Sequence, residues 1–248
     1  MATIAVYSLK GGVGKTTLAV NLAWCAATLS ARRTLLWDLD AQGAATYILR
    51  VDARVKGGGK RVVRETRPLA DAIKGSDYDN LDLLPADFTY RHLDLLLDEA
   101  KKPTRRLGQL LAPLADEFDM VFLDCPPSMS LLSENVLRAA GTVLVPLIPT
   151  TLSIRTLDQL TEFLHEVPEP HPRLLGFFSM VDARKRLHRD IIAELPARRP
   201  DLARTAIPSL SVVEQMARRR EPVAAFAPRS AAARRYRELW DEAFGATT

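Results

Sequence analysis

Ser8-Leu9-Lys10-Gly11-Gly12-Val13-Gly14-Lys15-Thr16-Thr17 is the stretch that decides the fold. An apolar run, Ile4–Val6, leads into it, and a helix-like stretch, Thr16–Leu29, follows it. Gly11, Gly12 and Gly14 allow backbone amides to curl round a phosphate that side chains would keep away, and the helix N-terminus adds a favourable dipole. Lys15 is placed to reach β/γ-phosphates, and the Thr16 hydroxyl to bind Mg²⁺. A plain glycine turn would account for the glycines but not for the Gly-Lys-Thr-Thr behind them.

The loop departs from the usual G-x-x-x-x-G-K-[ST], because Leu9 stands where glycine is expected and Lys10 adds a second lysine. Ordering a lysine costs entropy, and two lysines in one tight loop repel each other, so Lys10 calls for further negative charge. Two acidic strand ends complete the pattern. Asp38-Leu39-Asp40-Ala41-Gln42-Gly43 closes one apolar run, and Asp124 closes another, Met120–Asp124, before Cys125-Pro126-Pro127. Carboxylates at the C-terminal ends of parallel strands sit where α/β proteins bind ligands. Of Asp38 and Asp40, one is a candidate for holding magnesium or its waters and the other for orienting an attacking water, while Asp124 is a candidate for ordering magnesium through water.

Lys10-Gly11-Gly12-Val13-Gly14-Lys15-Thr16-Thr17 resembles the deviant Walker A motif of the ParA/MinD family of ATPases. The resemblance implies that Lys10 reaches ATP held by a second protomer in a face-to-face sandwich dimer. Gly11 to Thr17 would then bind ATP in the same chain. Asp38 to Thr46 resembles the family's D-x-D-P-Q-G-N-A-T, with Ala41 and Ala44 in place of Pro and Asn, and assigns the water-activating role to Asp40. Asp-Cys-Pro-Pro-Ser at Asp124–Ser128 is close to the family's Walker B and switch II. By the same resemblance Met180, Asp182 and Pro208 flank the adenine. The resemblance runs over essentially the whole chain.

Short apolar runs alternate with helix-like stretches. That is the mark of a doubly wound α/β fold, a mostly parallel central sheet with helices on both faces, here of P-loop NTPase type. The expected strands are Thr3–Tyr7, Thr34–Asp38, Leu81–Pro85, Met120–Asp124, Thr142–Leu147, Leu174–Met180 and Thr205–Ile207. Arg105–Asp116 and Ser153–Glu166 are expected helices, and glycine-rich, basic Val51–Pro68 is expected to be a mobile surface loop. With no repeat and no linker, residues 1–248 are expected to form one ATPase domain.

The chain has 248 residues, 47% of them hydrophobic, enough for one sizeable core. Its two cysteines, Cys25 and Cys125, form no Cys-x-x-Cys or Cys/His cluster, which argues against a zinc site and for a reducing, cytoplasmic setting. No signal peptide is expected at the N-terminus, nor an apolar run of spanning length.

Charge is uneven. Residues 184–237 hold fourteen Lys and Arg against five Asp and Glu, so this segment outweighs the net +4 of the chain. Arg218, Arg219 and Arg220 form the densest group, and Arg184, Lys185, Arg186 and Arg189 a second. Such patches suit the phosphates of double-stranded DNA without base readout. The resemblance adds an ATP-dependent homodimer on nonspecific DNA, associated with the nucleoid. Its hydrolysis would be stimulated by a ParB-like or adaptor partner, so as to position a plasmid, chromosome or protein assembly. One rival is a MinD-like membrane switch, since Tyr236, Leu239, Trp240, Ala243 and Phe244 share a helical face. Packing of that face in the core is the expected outcome. A P-loop metabolic ligase or carrier is a second rival.

Overall fold

The apolar runs have no polar alternation, and they pair into a sheet that is covered on both faces, as parallel strands require. The computed structural model describes residues 1–53, 68–166 and 170–245. The strands are β1 (Ala2–Val6), β2 (Thr34–Asp38), β3 (Lys74–Gly75), β4 (Leu81–Leu84), β5 (Met120–Asp124), β6 (Thr142–Leu147) and β7 (Arg173–Phe178). Their order across the sheet is β3-β4-β2-β5-β1-β6-β7. All pairings are parallel except the edge pair β3 and β4.

One apolar cluster holds Ile4, Val6, Leu36 and Phe122 under α1 (Lys15–Leu29), α2 (Ala44–Ile48) and the C-terminal helices. Ala5, Leu35, Val121 and Leu123 point the other way. They pack under α3 (Leu93–Asp98), α4 (Arg106–Leu111), α5 (Leu131–Ala139) and α6 (Thr151–Glu166). The helices α7 (Arg186–Arg198), α8 (Ser211–Arg219), α9 (Val223–Phe226) and α10 (Ala231–Phe244) complete the described chain. Burial of α1 on nearly every side explains its lack of a polar stripe.

Two sequence expectations change. Thr205–Ile207 does not form a strand: beside β7, Ile207 N–H donates to Phe178 O (2.8 Å) and Ile207 O accepts from Val181 N–H (3.1 Å), and only isolated bridges, Gly176 to Leu202 and Val181 to Pro208, flank it. Met180 turns left-handed (φ 52°), which interrupts the extended run beside it. The helix expected over Arg105–Asp116 is broken into Pro103–Arg105, α4 and Ala112–Leu114, because Pro113 cannot donate within the helix. The short antiparallel β3 has too few residues to show a pattern. Of the loop expected over Val51–Pro68, residues 54–67 lie outside the described residues.

The apolar face of α10 is spent in the core. Tyr236, Leu239, Trp240 and Ala243 are buried against α1, and the Phe244 ring meets Phe122 edge-on. Trp240 also donates to Ser30 Oγ (3.1 Å). Among the described residues no helix is long and apolar enough to cross a membrane.

Gly176 on β7 shows how tightly this core closes. A Cβ there would lie 2.8 Å from Leu202 Cδ2, 3.1 Å from Leu157 Cδ2 and 3.2 Å from Leu147 Cδ1. Gly176→Ala is therefore expected to destabilise the fold by about 1–3 kcal/mol through overpacking. Thermal unfolding checks this, and an unchanged melting temperature would mean that the three leucines shift freely.

Candidate nucleotide site

The phosphate loop gains its shape from left-handed glycines, Gly12 at φ 72° and Gly14 at φ 90°. Gly14 caps α1 without a side-chain hydrogen bond, so the first N–H groups of the helix are left to a ligand. The loop is braced from behind. Ser179 Oγ donates to Val13 O (2.8 Å), Lys10 N–H to Ser8 Oγ (3.3 Å) and Lys15 Nζ to Lys10 O (3.1 Å). Burial lowers the pKa of Lys15, while Asp124, Cys125 and Asp40 favour its charged form.

A cavity of about 410 Å³ opens on this loop. Gly11, Gly12, Gly14, Lys15, Thr16 and Thr17 line its phosphate end, with Asp40 beside them. Its apolar end is walled by Phe177, Ile207, Leu210, Val213 and Tyr236, together with Met180 and Pro208. The size and the mixture of apolar wall and convergent polar groups suit a small-molecule ligand.

Asp38 and Asp124 are register partners at the ends of adjacent strands. Both are fully buried. Thr46 holds Asp38 by donating its N–H (2.8 Å) and its hydroxyl (2.7 Å) to Oδ2. Asp38 Oδ1 and both oxygens of Asp124 have no hydrogen-bond partner. Burial raises the Asp38 pKa to about 6 and pushes Asp124 well above the carboxylate range, and Asp38 adds repulsion to Asp124. Buried carboxylates without partners are costly, and a cation is the natural complement. Among the described residues no three His, Cys, Asp or Glu side chains are grouped to hold a metal alone. The donor set therefore suits Mg²⁺ carried largely by phosphates and water, with Thr16 and the two buried aspartates around it.

Asp40 is half-buried, and its Oδ1 accepts from Gln42 N–H (2.9 Å) in an Asx turn. Lys10 is also half-buried, but it does not line the cavity of its own chain. Asp182 stands apart from the cavity, with its carboxylate forked by Arg184 (3.0 Å) and its N–H bonded to His188 Nδ1 (3.1 Å). Arg184 holds Asp182 well below the usual carboxylate range, at about 2. The Cys25 and Cys125 thiols are buried and unpaired, as packed side chains are.

The arginines sort into two kinds. Arg184, Lys185, Arg186, Arg189 and Arg218 are exposed at the start of α7 and the end of α8. Arg186 pairs only loosely with Asp190 (3.5 Å), and Arg189 donates to Ala183 O (3.1 Å). Arg219 is exposed as well, with its guanidinium 5.9 Å from the centre of the Phe226 ring, whereas half-buried Arg220 lies over Tyr47. Sequence inspection missed that division, and it also missed Ser179, Tyr236 and Asn21. Asn21 donates to Thr17 O (2.7 Å) and accepts from Val223 N–H (2.9 Å), which ties α1 to α9. Thr46 carried a signal, since it closes the motif that begins at Asp38.

The comparisons with known proteins agree with this geometry. Residues 1–174 match the family model described as an AAA domain. The chromosome partitioning protein ParA of Myxococcus xanthus is 34% identical over 199 residues, 77% of this chain and 69% of that one. The sporulation initiation inhibitor protein Soj of Bacillus subtilis is 31% identical over 245 residues, 96% of each chain. Cobyrinic acid a,c-diamide synthase of Mycobacterium smegmatis, solved with ADP and magnesium, superposes with a TM-score of 0.79 at 29% identity, covering 97% of this chain and 93% of that one. With the phosphate loop and the paired aspartates in place on this sheet, the chain belongs to the ParA family of P-loop ATPases.

Proposed function

We propose that the chain is a single-domain ATPase that positions or segregates a cargo, cycling between an ATP-bound sandwich dimer on nonspecific DNA and a monomer released by hydrolysis. The observation that carries the ATPase cycle is the buried pair Asp38 and Asp124, with Asp38 Oδ1 and both Asp124 oxygens lacking a hydrogen-bond partner, beneath a glycine loop bearing Lys15 and Thr16. In this cycle Lys15 and the loop amides hold the phosphates, and Asp40 orients water for in-line attack. Mg²⁺, when bound, neutralises charge on the β/γ-phosphates. Thr16 would hold the ion, and Asp38 and Asp124 would hold its waters. The placement of Lys10 outside its own cavity supports a contact with ATP of a second protomer.

The exposed cations Arg184, Lys185, Arg186, Arg189 and Arg218 are the proposed DNA surface, in a cytoplasmic, nucleoid-associated protein. A ParB-like or adaptor protein is the proposed stimulator. DNA binding with no nucleotide, ADP and ATP across a salt series tests this. Tight binding with ATP alone is expected. Lys185→Ala with Arg218→Ala should flatten the log–log salt slope by roughly four if each dimer loses four phosphate contacts. Binding that ignores nucleotide, or a slope unchanged in the double variant, would remove the DNA surface while leaving the ATPase intact.

A second reading is favoured by the likeness to the diamide synthase: ATP would activate a carboxylate for amide formation. It gives no use to Lys10 or to the exposed arginines. ATP turnover that requires a carboxylic acid and ammonia or glutamine, and ignores DNA, would establish it.

A further inference from the structure

The five-residue helix α2 (Ala44–Ile48) follows the Asp38–Gly43 loop and is too short to be stable alone. Beyond the burial of Ala45 and Ile48 in the core, two sets of polar contacts hold it. On one side Thr46 grips Asp38, and Ala86 N–H donates to Thr46 Oγ1 (2.8 Å). On the other side stands the end of α8. There Arg220 Nε donates to Tyr47 O (2.9 Å), and its guanidinium lies 4.6 Å from the centre of the Tyr47 ring. Arg50, just past α2, donates to Arg219 O (3.0 Å) and pairs with Glu221.

Arg220 occupies a place that chemistry reserves for another residue. It caps α8 in the left-handed conformation, φ 58° and ψ 50°, where glycine is the usual occupant and a side chain costs about 1 kcal/mol. Its side chain is bound at both its Nε and its face. The stacking also gives a reason for Tyr47 to be 53% exposed. The far side of α8 is fixed to the phosphate-loop helix, because Asn21 Nδ2 meets Met216 Sδ (3.2 Å) while donating to Thr17 O.

We infer that Arg220 is a positioning residue for Asp40: it clamps Tyr47 to α8 so that the Asp40 loop and the phosphate loop share one rigid frame. The role in hydrolysis rests on the ATPase function proposed for this site; the clamp itself does not.

Arg220→Gly tests both. It deletes the clamp and relieves the left-handed backbone, so the melting temperature should hold or rise. Amide hydrogen exchange over residues 43–50, measured without nucleotide, should accelerate about tenfold. The turnover number for ATP should fall about tenfold with ATP affinity little changed. Tyr47→Phe keeps the ring and the backbone acceptor and should match wild type in every measurement, while Tyr47→Ala should fall between. Unchanged exchange in Arg220→Gly would overturn the clamp. Faster exchange with an unchanged turnover number would overturn its role in positioning Asp40. A wild-type protein with no ATP hydrolysis would overturn the ATPase function, and with it the positioning of Asp40, while the exchange measurement still decided the clamp.

Discussion

Asp40→Ala is expected to slow ATP hydrolysis by about 10²–10⁴-fold while leaving ATP affinity within a few-fold of wild type. Asp40 lines the cavity beside the phosphate loop, and its Asx turn to Gln42 fixes the carboxylate through one oxygen. The other oxygen has no hydrogen-bond partner among the described residues, which suits a role in orienting water. Asp40→Asn separates the two contributions, since an amide oxygen can keep the turn but the negative charge is gone. It should be nearly as slow as alanine if charge is what matters. Single-turnover phosphate release, with nucleotide affinity measured by calorimetry, reads both numbers. A rate within about threefold of wild type would exclude Asp40 from the chemistry.

Asp124→Asn is expected to act with opposite signs on the free and the loaded protein. Both carboxylate oxygens of Asp124 are buried without a partner, beside the equally buried Asp38. Replacing the charge by a neutral group of the same shape removes a desolvation cost and a repulsion, so the nucleotide-free melting temperature should not fall. Binding energy should be lost instead. Wild type in ATP and Mg²⁺ at about a hundred times the dissociation constant gains about 2.7 kcal/mol, and the variant should lose most of that gain. Melting curves with and without Mg²⁺ and nucleotide decide the matter. An equal ligand-induced gain in the two proteins would show that Asp124 does not serve the ion. Function at this position is maintained against the stability of the unliganded fold.

The phosphate loop was legible because its chemistry is local. The glycines, Lys15 and Thr16 are consecutive, and left-handed φ at Gly12 and Gly14 needs nothing from elsewhere in the chain. Asp38 and Asp124 were legible as ends of apolar runs, but their adjacency depends on β2 pairing with β5 across more than eighty residues. Thr205–Ile207 was misread because its composition suits a strand, whereas the left-handed turn at Met180 decides that no ladder forms. Arg105–Asp116 was misread for the converse reason, a local proline outweighed by a helical apolar pattern.

The basic segment shows the same boundary most clearly. Composition counts charges, and it grouped Arg218, Arg219 and Arg220 as equals. Tertiary packing leaves Arg218 and Arg219 exposed and turns Arg220 back onto Tyr47. By itself the sequence determined a parallel α/β sheet, a phosphate loop and two acidic strand ends, because each follows from residues near one another in the chain. Only the tertiary structure decided three further points: which buried carboxylate oxygens lack partners, that the apolar face of α10 lies in the core, and that Arg220 turns back onto α2. Each of these depends on what a distant segment brings into contact, and burial and hydrogen bonding are properties of that contact.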